Sequence, residues 1–155
     1  MTYSLILSYD KLTLSELEEG EQMLVQSAKE AASGAYAPYS KFGVGAAIRL
    51  RDGRLFTGNN QENAAYPSGL CAERTLLFYL GAQKLVPHIQ ALAVFAPRSE
   101  GPVMPCGACR QVMYEYESLA QRPWILIFAG GETDLVYRFV GVDNLLPFAF
   151  LWRPS

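Results

Sequence analysis

The sequence predicts an α/β fold, a mixed five-stranded sheet lying between helices in a three-layer α/β/α arrangement. Three observations carry this expectation. Helix-length stretches alternate with short apolar runs along the chain, in the order helix, strand, strand, helix, strand, helix, strand, strand, helix. An Asp52-Gly53 pair between two of the runs is a strong hairpin signal, which calls for antiparallel pairing. The later strand-helix-strand-helix-strand series calls for parallel strands joined by right-handed crossovers.

Each element has its own reason. Residues 1–12 read as an N-terminal extension with no assigned function. A helix is expected from Thr13 to about Ser33. Leu14, Leu17, Met23, Leu24, Ala28 and Ala31 form its apolar stripe, with acidic residues early and Lys29 late, as the helix dipole favours. Gly20 works against this helix, and Gly34 ends it. Ala35–Lys41 is loop-like. Phe42–Leu50 is the first strand, and its small residues let another element approach closely. Leu55–Asn59 is the return strand of the hairpin. The polar run Asn60–Tyr66 leads into a buried helix over Cys71–Leu80. Ile89–Ala96 fits a buried strand. A loop with Pro97, Gly101, Pro102 and Pro105 precedes a helix that runs to about Leu119. Trp124–Ala129 and Leu135–Val140 are two more strands, separated by Gly130-Gly131. The apolar tail Leu145–Trp152 is expected to form a short helix starting near Pro147. The whole chain, residues 1–155, reads as one domain.

Composition narrows the functional classes. Half of the 155 residues are hydrophobic, enough for a sizeable core, and the net charge is -2 with no basic block. A nucleic-acid polymer as main partner is therefore not expected. No basic-then-apolar leader pattern stands at the amino terminus, and no apolar run approaches the roughly 20 residues needed to cross a bilayer. A cytoplasmic protein with reduced thiols is the expectation. With His88 as the only histidine, Ser-His-Asp or Cys-His catalysis has little to draw on.

All three cysteines lie in two short segments, Cys71-Ala72-Glu73 and Pro105-Cys106-Gly107-Ala108-Cys109. The Cys-x-x-Cys spacing brings two sulfurs to one side of a turn or helix start, and a third thiolate fills a third corner of a zinc tetrahedron. Three protein ligands and one corner left for water distinguish a catalytic zinc from a structural one. Glu73, two residues after Cys71, is placed to move a proton at that open corner. The competing reading is a closed structural site completed by His88, which belongs to no ligand-spaced motif.

The segments Cys71-Ala72-Glu73-Arg74 and Pro105-Cys106-Gly107-Ala108-Cys109-Arg110-Gln111 resemble the two signatures of the small, three-cysteine zinc cytidine deaminases, whose zinc chemistry is a known pattern. The resemblance covers about Tyr36 to Phe150 and is weak over the first helix. It implies one Zn²⁺ per subunit on Cys71, Cys106 and Cys109, with Glu73 as the acid–base group. The reaction it implies is hydrolytic deamination of cytidine or 2'-deoxycytidine to the uridine product plus ammonia. Arg74 stands where the family has an arginine that withdraws charge from the sulfurs. Phe42 matches the residue that packs on the base. Asn60 and Glu62 match the pair that grips the ribose hydroxyls, and Ala72 belongs to the substrate-binding set. Asn63 and Gln111 hold the site together. The resemblance also implies a homotetramer in which Ala64, Tyr66 and Phe150 serve a neighbouring subunit's site. Three departures stand out: Gln61 replaces an aliphatic residue, Met104 a small one, and Leu151-Trp152-Arg153-Pro154 the usual end of the tail. Rival readings are a deaminase of another aminopyrimidine nucleoside or nucleoside antibiotic, and a zinc-stabilised binding module without catalysis. The retained Glu73 speaks against the second.

Overall fold

The computed structural model of the chain describes residues 1–151. In chain order the elements are β1 (Asp10–Thr13), α1 (Glu19–Ala32), β2 (Gly45–Leu50), β3 (Leu55–Asn59), α2 (Ala72–Ala82), β4 (Ile89–Ala96), α3 (Gly107–Ala120), β5 (Ile125–Gly130) and β6 (Leu135–Val140). One mixed sheet carries all six strands in the order β1-β6-β5-β4-β2-β3. Only β4 and β5 pair in parallel; the other neighbours are antiparallel.

Period-2 alternation on the central strands divides the core into two halves. Leu92 and Val94 of β4 and Leu126 and Phe128 of β5 pack with Leu76, Leu77 and Leu80 of α2 and Met113 of α3. Their sequence neighbours Ala91, Ala93, Phe95 and Ile127 pack on the other face with Leu24, Val25 and Ala28 of α1. The layers are therefore α1, the sheet, and α2 with α3. Small side chains on the α1 face let that helix sit close. At Gly45 the approach is closest, since a Cβ there would collide with the Ala28 carbonyl and the Ala32 amide of α1.

The sheet has six strands, one more than the five expected. The additional strand, β1, spans the end of what the sequence reads as an extension and the first residue, Thr13, of the expected helix. It pairs antiparallel with β6, Asp10 opposite Arg138 and Thr13 opposite Leu135. Arg138 explains why this edge holds. Its Nε donates to both carboxylate oxygens of Glu21 at 3.0 and 3.2 Å, and its Nη1 reaches Asp10 Oδ2 at 3.3 Å. Glu21 is only 3% exposed, so its charge requires this partner. Tyr9 stacks on Phe139 with centroids 5.3 Å apart, and the Ser8 amide donates to Asn144 Oδ1 at 2.9 Å.

Other boundaries move for local reasons. The first helix begins at Glu19 rather than Thr13. Glu16 accepts from the Thr13 amide and hydroxyl, closing a separate turn over Leu14–Glu16, and Leu17 is extended (φ -72, ψ 152). Gly20 thus falls in the first turn and not the interior of α1. The tail forms no helix at Pro147 among the described residues; a 3₁₀ turn over Val142–Asn144 precedes it. Phe148 has a left-handed φ of 58°. The Leu145 carbonyl accepts from Arg110 Nη1 at 3.1 Å and the Phe150 carbonyl from Gln111 Nε2 at 2.8 Å, so α3 side chains hold the tail. Trp152, Arg153 and Pro154 lie outside the described residues. Among the described residues, no helix is long and apolar enough to cross a membrane.

Two outcomes test this packing. Gly45→Ala is expected to lower stability by about 1–3 kcal/mol through overpacking against α1, read as a lower urea midpoint with unchanged slope. Arg138→Met leaves Glu21 buried without its partner and is expected to destabilise by about 3–5 kcal/mol. Adding Glu21→Met to that variant should recover most of the loss in the same measurement.

Candidate active site

The site forms where two helices start. Cys71 is the N-cap of α2 (φ -67, ψ 157) and Cys106 the N-cap of α3 (φ -67, ψ 165), with Cys109 in the first turn of α3. Each helix follows a strand, so both amino termini lie toward the carboxyl ends of strands, the usual place for chemistry in an α/β sheet. Helix amino termini favour thiolates.

The three Sγ atoms lie within 4.8 Å of one another, and no other such grouping of His, Cys, Asp or Glu occurs among the described residues. Cys71 Sγ is 3.8 Å from Cys106 Sγ, and Cys106 Sγ is 3.5 Å from Cys109 Sγ. A tetrahedral ion with Zn–S bonds of about 2.3 Å has an S···S edge of about 3.8 Å. The geometry therefore fits one zinc ion held by three sulfurs. All three cysteines are free of disulfides. His88 is exposed in the turn just before β4 and takes no part in the cluster. The closed four-ligand reading has no fourth side chain.

Hydrogen bonding from the Cys109 thiol, with further help from Arg74, pulls the Cys71 thiol down to about 5. The same hydrogen bond to Cys71, together with burial, pushes Cys109 up. A bound metal overrides that preference, because a coordinating thiol is deprotonated outright. Three thiolates around a divalent ion leave a net negative charge. Arg74 Nη2 stands 3.8 Å from Cys71 Sγ, placed to offset it, and Arg74 Nε is buried with no hydrogen-bond partner among the described residues.

Glu73 is 4% exposed, and burial pushes its carboxyl up to about 7, with the neighbouring Cys71 charge adding to the effect. A carboxylate poised near neutrality suits proton transfer in both directions. Glu73 opens onto a cleft of about 460 Å³ that is also lined by Ser40, Phe42, Val44, Asn60, Glu62, Cys71, Ala72, Val94, Val103, Met104 and Cys106. The sequence-derived residues Phe42, Asn60, Glu62 and Ala72 thus meet the metal cluster in one place.

Asn60 and Glu62 also shape the cleft wall. Asn60 Oδ1 accepts from the Val44 amide at 2.8 Å, and its Nδ2 donates to the Phe42 carbonyl at 2.9 Å. Beside this clamp, the Asn60 amide donates to the Val44 carbonyl at 3.1 Å, so 42–44 is held by one residue without a regular ladder, and β2 begins at Gly45 and not Phe42. Glu62 accepts from the Tyr39 amide at 2.9 Å, the Ser40 amide at 3.3 Å and the Ser40 hydroxyl. The Ser40 hydroxyl, then the two amides, hold its carboxyl below the usual range.

The remaining expected residues lie outside the cleft. Tyr66 is 77% exposed and lines a smaller cavity of about 220 Å³ beside Arg74 and Asn63. Ala64 is exposed, and Phe150 is 73% exposed with its carbonyl on Gln111. Sequence reasoning missed Ser40, whose hydroxyl sits on Glu62, and the apolar wall of Val44, Val94 and Val103. The signal for Ser40 was a hydroxyl two residues before the aromatic Phe42; Val44 and Val94 read only as strand residues and Val103 as loop.

Comparison with known proteins agrees with this geometry. Residues 18–121 match the family model for the cytidine and deoxycytidylate deaminase zinc-binding region. The chain is 50% identical over 129 residues to the cytidine deaminase of Sporosarcina psychrophila, covering 83% of this chain and 90% of that one. It is 42% identical over 131 residues to the cytidine deaminase of Halalkalibacterium halodurans, covering 83% and 92%. Among solved structures, the cytidine deaminase of Burkholderia pseudomallei superposes with a TM-score of 0.72 at 43% identity, covering 83% of this chain and 97% of that one. Three sulfurs at zinc spacing, a buried acid beside them and matches of this extent lead to one conclusion: the chain belongs to the cytidine and deoxycytidylate deaminase zinc-binding family.

Proposed function

We propose that the protein hydrolytically deaminates cytidine or 2'-deoxycytidine to the uridine product and ammonia, a pyrimidine-salvage step. The observation that carries this reading is the buried Glu73 opening, with Cys71 and Cys106, onto a cleft large enough for a nucleoside. Zinc held by Cys71, Cys106 and Cys109 supplies Lewis-acid activation of water. Glu73 takes one proton from the attacking water and delivers it to ring N3; it then takes the second, from the C4 hydroxyl, and passes it to the amine, so that the C–N bond breaks, ammonia leaves and C4 keeps a carbonyl. Its raised proton affinity matches that shuttle, and its burial excludes competing solvent.

The cleft wall supports a nucleoside over a polymer. Phe42 offers a face for the base. Asn60 and Glu62 retain hydrogen-bonding capacity beyond their loop contacts and receive the ribose hydroxyls. Ala72 borders the base without side-chain bulk. Arg74 tempers the charge on sulfur, and Gln111 anchors the tail through the Phe150 carbonyl. Free thiols suit a reducing cytoplasm. Tyr66, Phe78, Phe148 and Phe150 are large exposed apolar side chains, and a homotetramer would cover them while bringing Ala64, Tyr66 and Phe150 to neighbouring sites.

Loss of cytidine absorbance on adding the protein is the direct test. Turnover is expected to vanish after chelation and return with Zn²⁺. Glu73→Ala should retain stoichiometric zinc while losing about 10²–10⁴-fold in kcat. Full activity in that variant would remove Glu73 from the mechanism. Light scattering is expected to give four times the mass of one chain; a monomer with full activity would exclude shared sites.

A further inference from the structure

We propose that Met104 determines specificity at the 5-position of the pyrimidine ring, an inference that rests on the cytidine reading above. The cleft is lined by two unlike sets of side chains. Ser40, Asn60 and Glu62 are polar, whereas Val44, Val94, Val103 and Met104 are apolar, and Val103 and Met104 belong to the segment that leads into Cys106. Cytosine has the same asymmetry. O2, N3 and the amine form a continuous polar edge, and C5 and C6 carry only hydrogens. With N3 turned to Glu73, the other ring neighbour of C4 is C5, whose apolar edge belongs against the apolar wall.

Along that wall Met104 is set apart by its place in the chain. It stands two residues before Cys106, on a segment with neither helix nor strand. Its neighbours are tied to the frame. The Val103 amide donates to the Ala129 carbonyl at 3.3 Å, and the Pro105 carbonyl accepts from Arg110 Nε at 2.8 Å. Val44 and Val94 are branched and short, and Val94 is fixed within β4. Met104 is half-buried and unbranched, with three rotatable bonds, so it is the wall residue able to yield or fill space beside C5. Its length sets how large a 5-substituent can enter next to the reacting carbon.

The test compares cytidine with 5-methylcytidine on the zinc-loaded protein and on Met104→Ala and Met104→Phe. The ratio of kcat/KM for 5-methylcytidine over cytidine is expected to rise about tenfold or more in Met104→Ala, the range one methylene commands in an apolar pocket. It should fall in Met104→Phe. The affinity for 5-methyluridine relative to uridine, neither of which reacts, should change in the same sense. A ratio unchanged in both folded, zinc-replete variants overturns the proposal, as does an equal loss for both substrates. If the unaltered protein fails to deaminate cytidine, the proposed function falls, while the uridine and 5-methyluridine binding ratio still decides the role of Met104.

Discussion

The amino termini of α2 and α3 converge beside the carboxyl ends of sheet strands, and the rest of the site depends on that meeting. It brings Cys71, Cys106 and Cys109 within one ion's reach from positions far apart in the chain. It also points partial positive charge at three groups that must become anions. Glu73 shares the first turn of α2 with Ala72, so the proposed proton carrier is set by the same helix that Cys71 caps. Acid and ligand cannot move independently, which is the kind of preorganisation proton transfer requires.

The layers behind the site make that convergence rigid. α2 and α3 rest on one face of β4 and β5 through large aliphatic and aromatic side chains, and α1 covers the other face with Leu24, Val25 and Ala28 against a surface rich in alanine. The α1 contact carries no chemistry, yet it fixes β2 and the strand's extension toward Phe42. Asn60 then completes the frame by holding Phe42 and Val44 through its amide. One side chain thus links the sheet edge to the cleft.

Features encoded within a few adjacent residues were legible in sequence. The strand Ile89–Ala96 is apolar throughout except at Gln90 and forms over the expected residues. The cysteine segments carried their own spacing, and the Asp52-Gly53 hairpin its own turn chemistry. What depends on distant partners was not legible. β1 has four residues, two of them charged, and becomes a strand only because β6 lies beside it, 128 positions away at the Asp10–Arg138 pair. The Asn60 clamp could not be read either, because nothing local shows that a side chain takes over part of the pairing along 42–44. The tail misled because its apolar content suits a helix, whereas Arg110 and Gln111 claim its carbonyls.

The N-terminal strand also has a bearing on how these molecules coexist in crowded solution. Without it the sheet would finish at β6, Leu135–Val140, a mostly apolar rim whose free amides and carbonyls invite a stranger's backbone. Capped by β1, the rim instead presents Asp10 and Lys11, both exposed. Hydrated charge of both signs makes a poor template for another chain, so self-templated fibre growth along this border is discouraged at its first step.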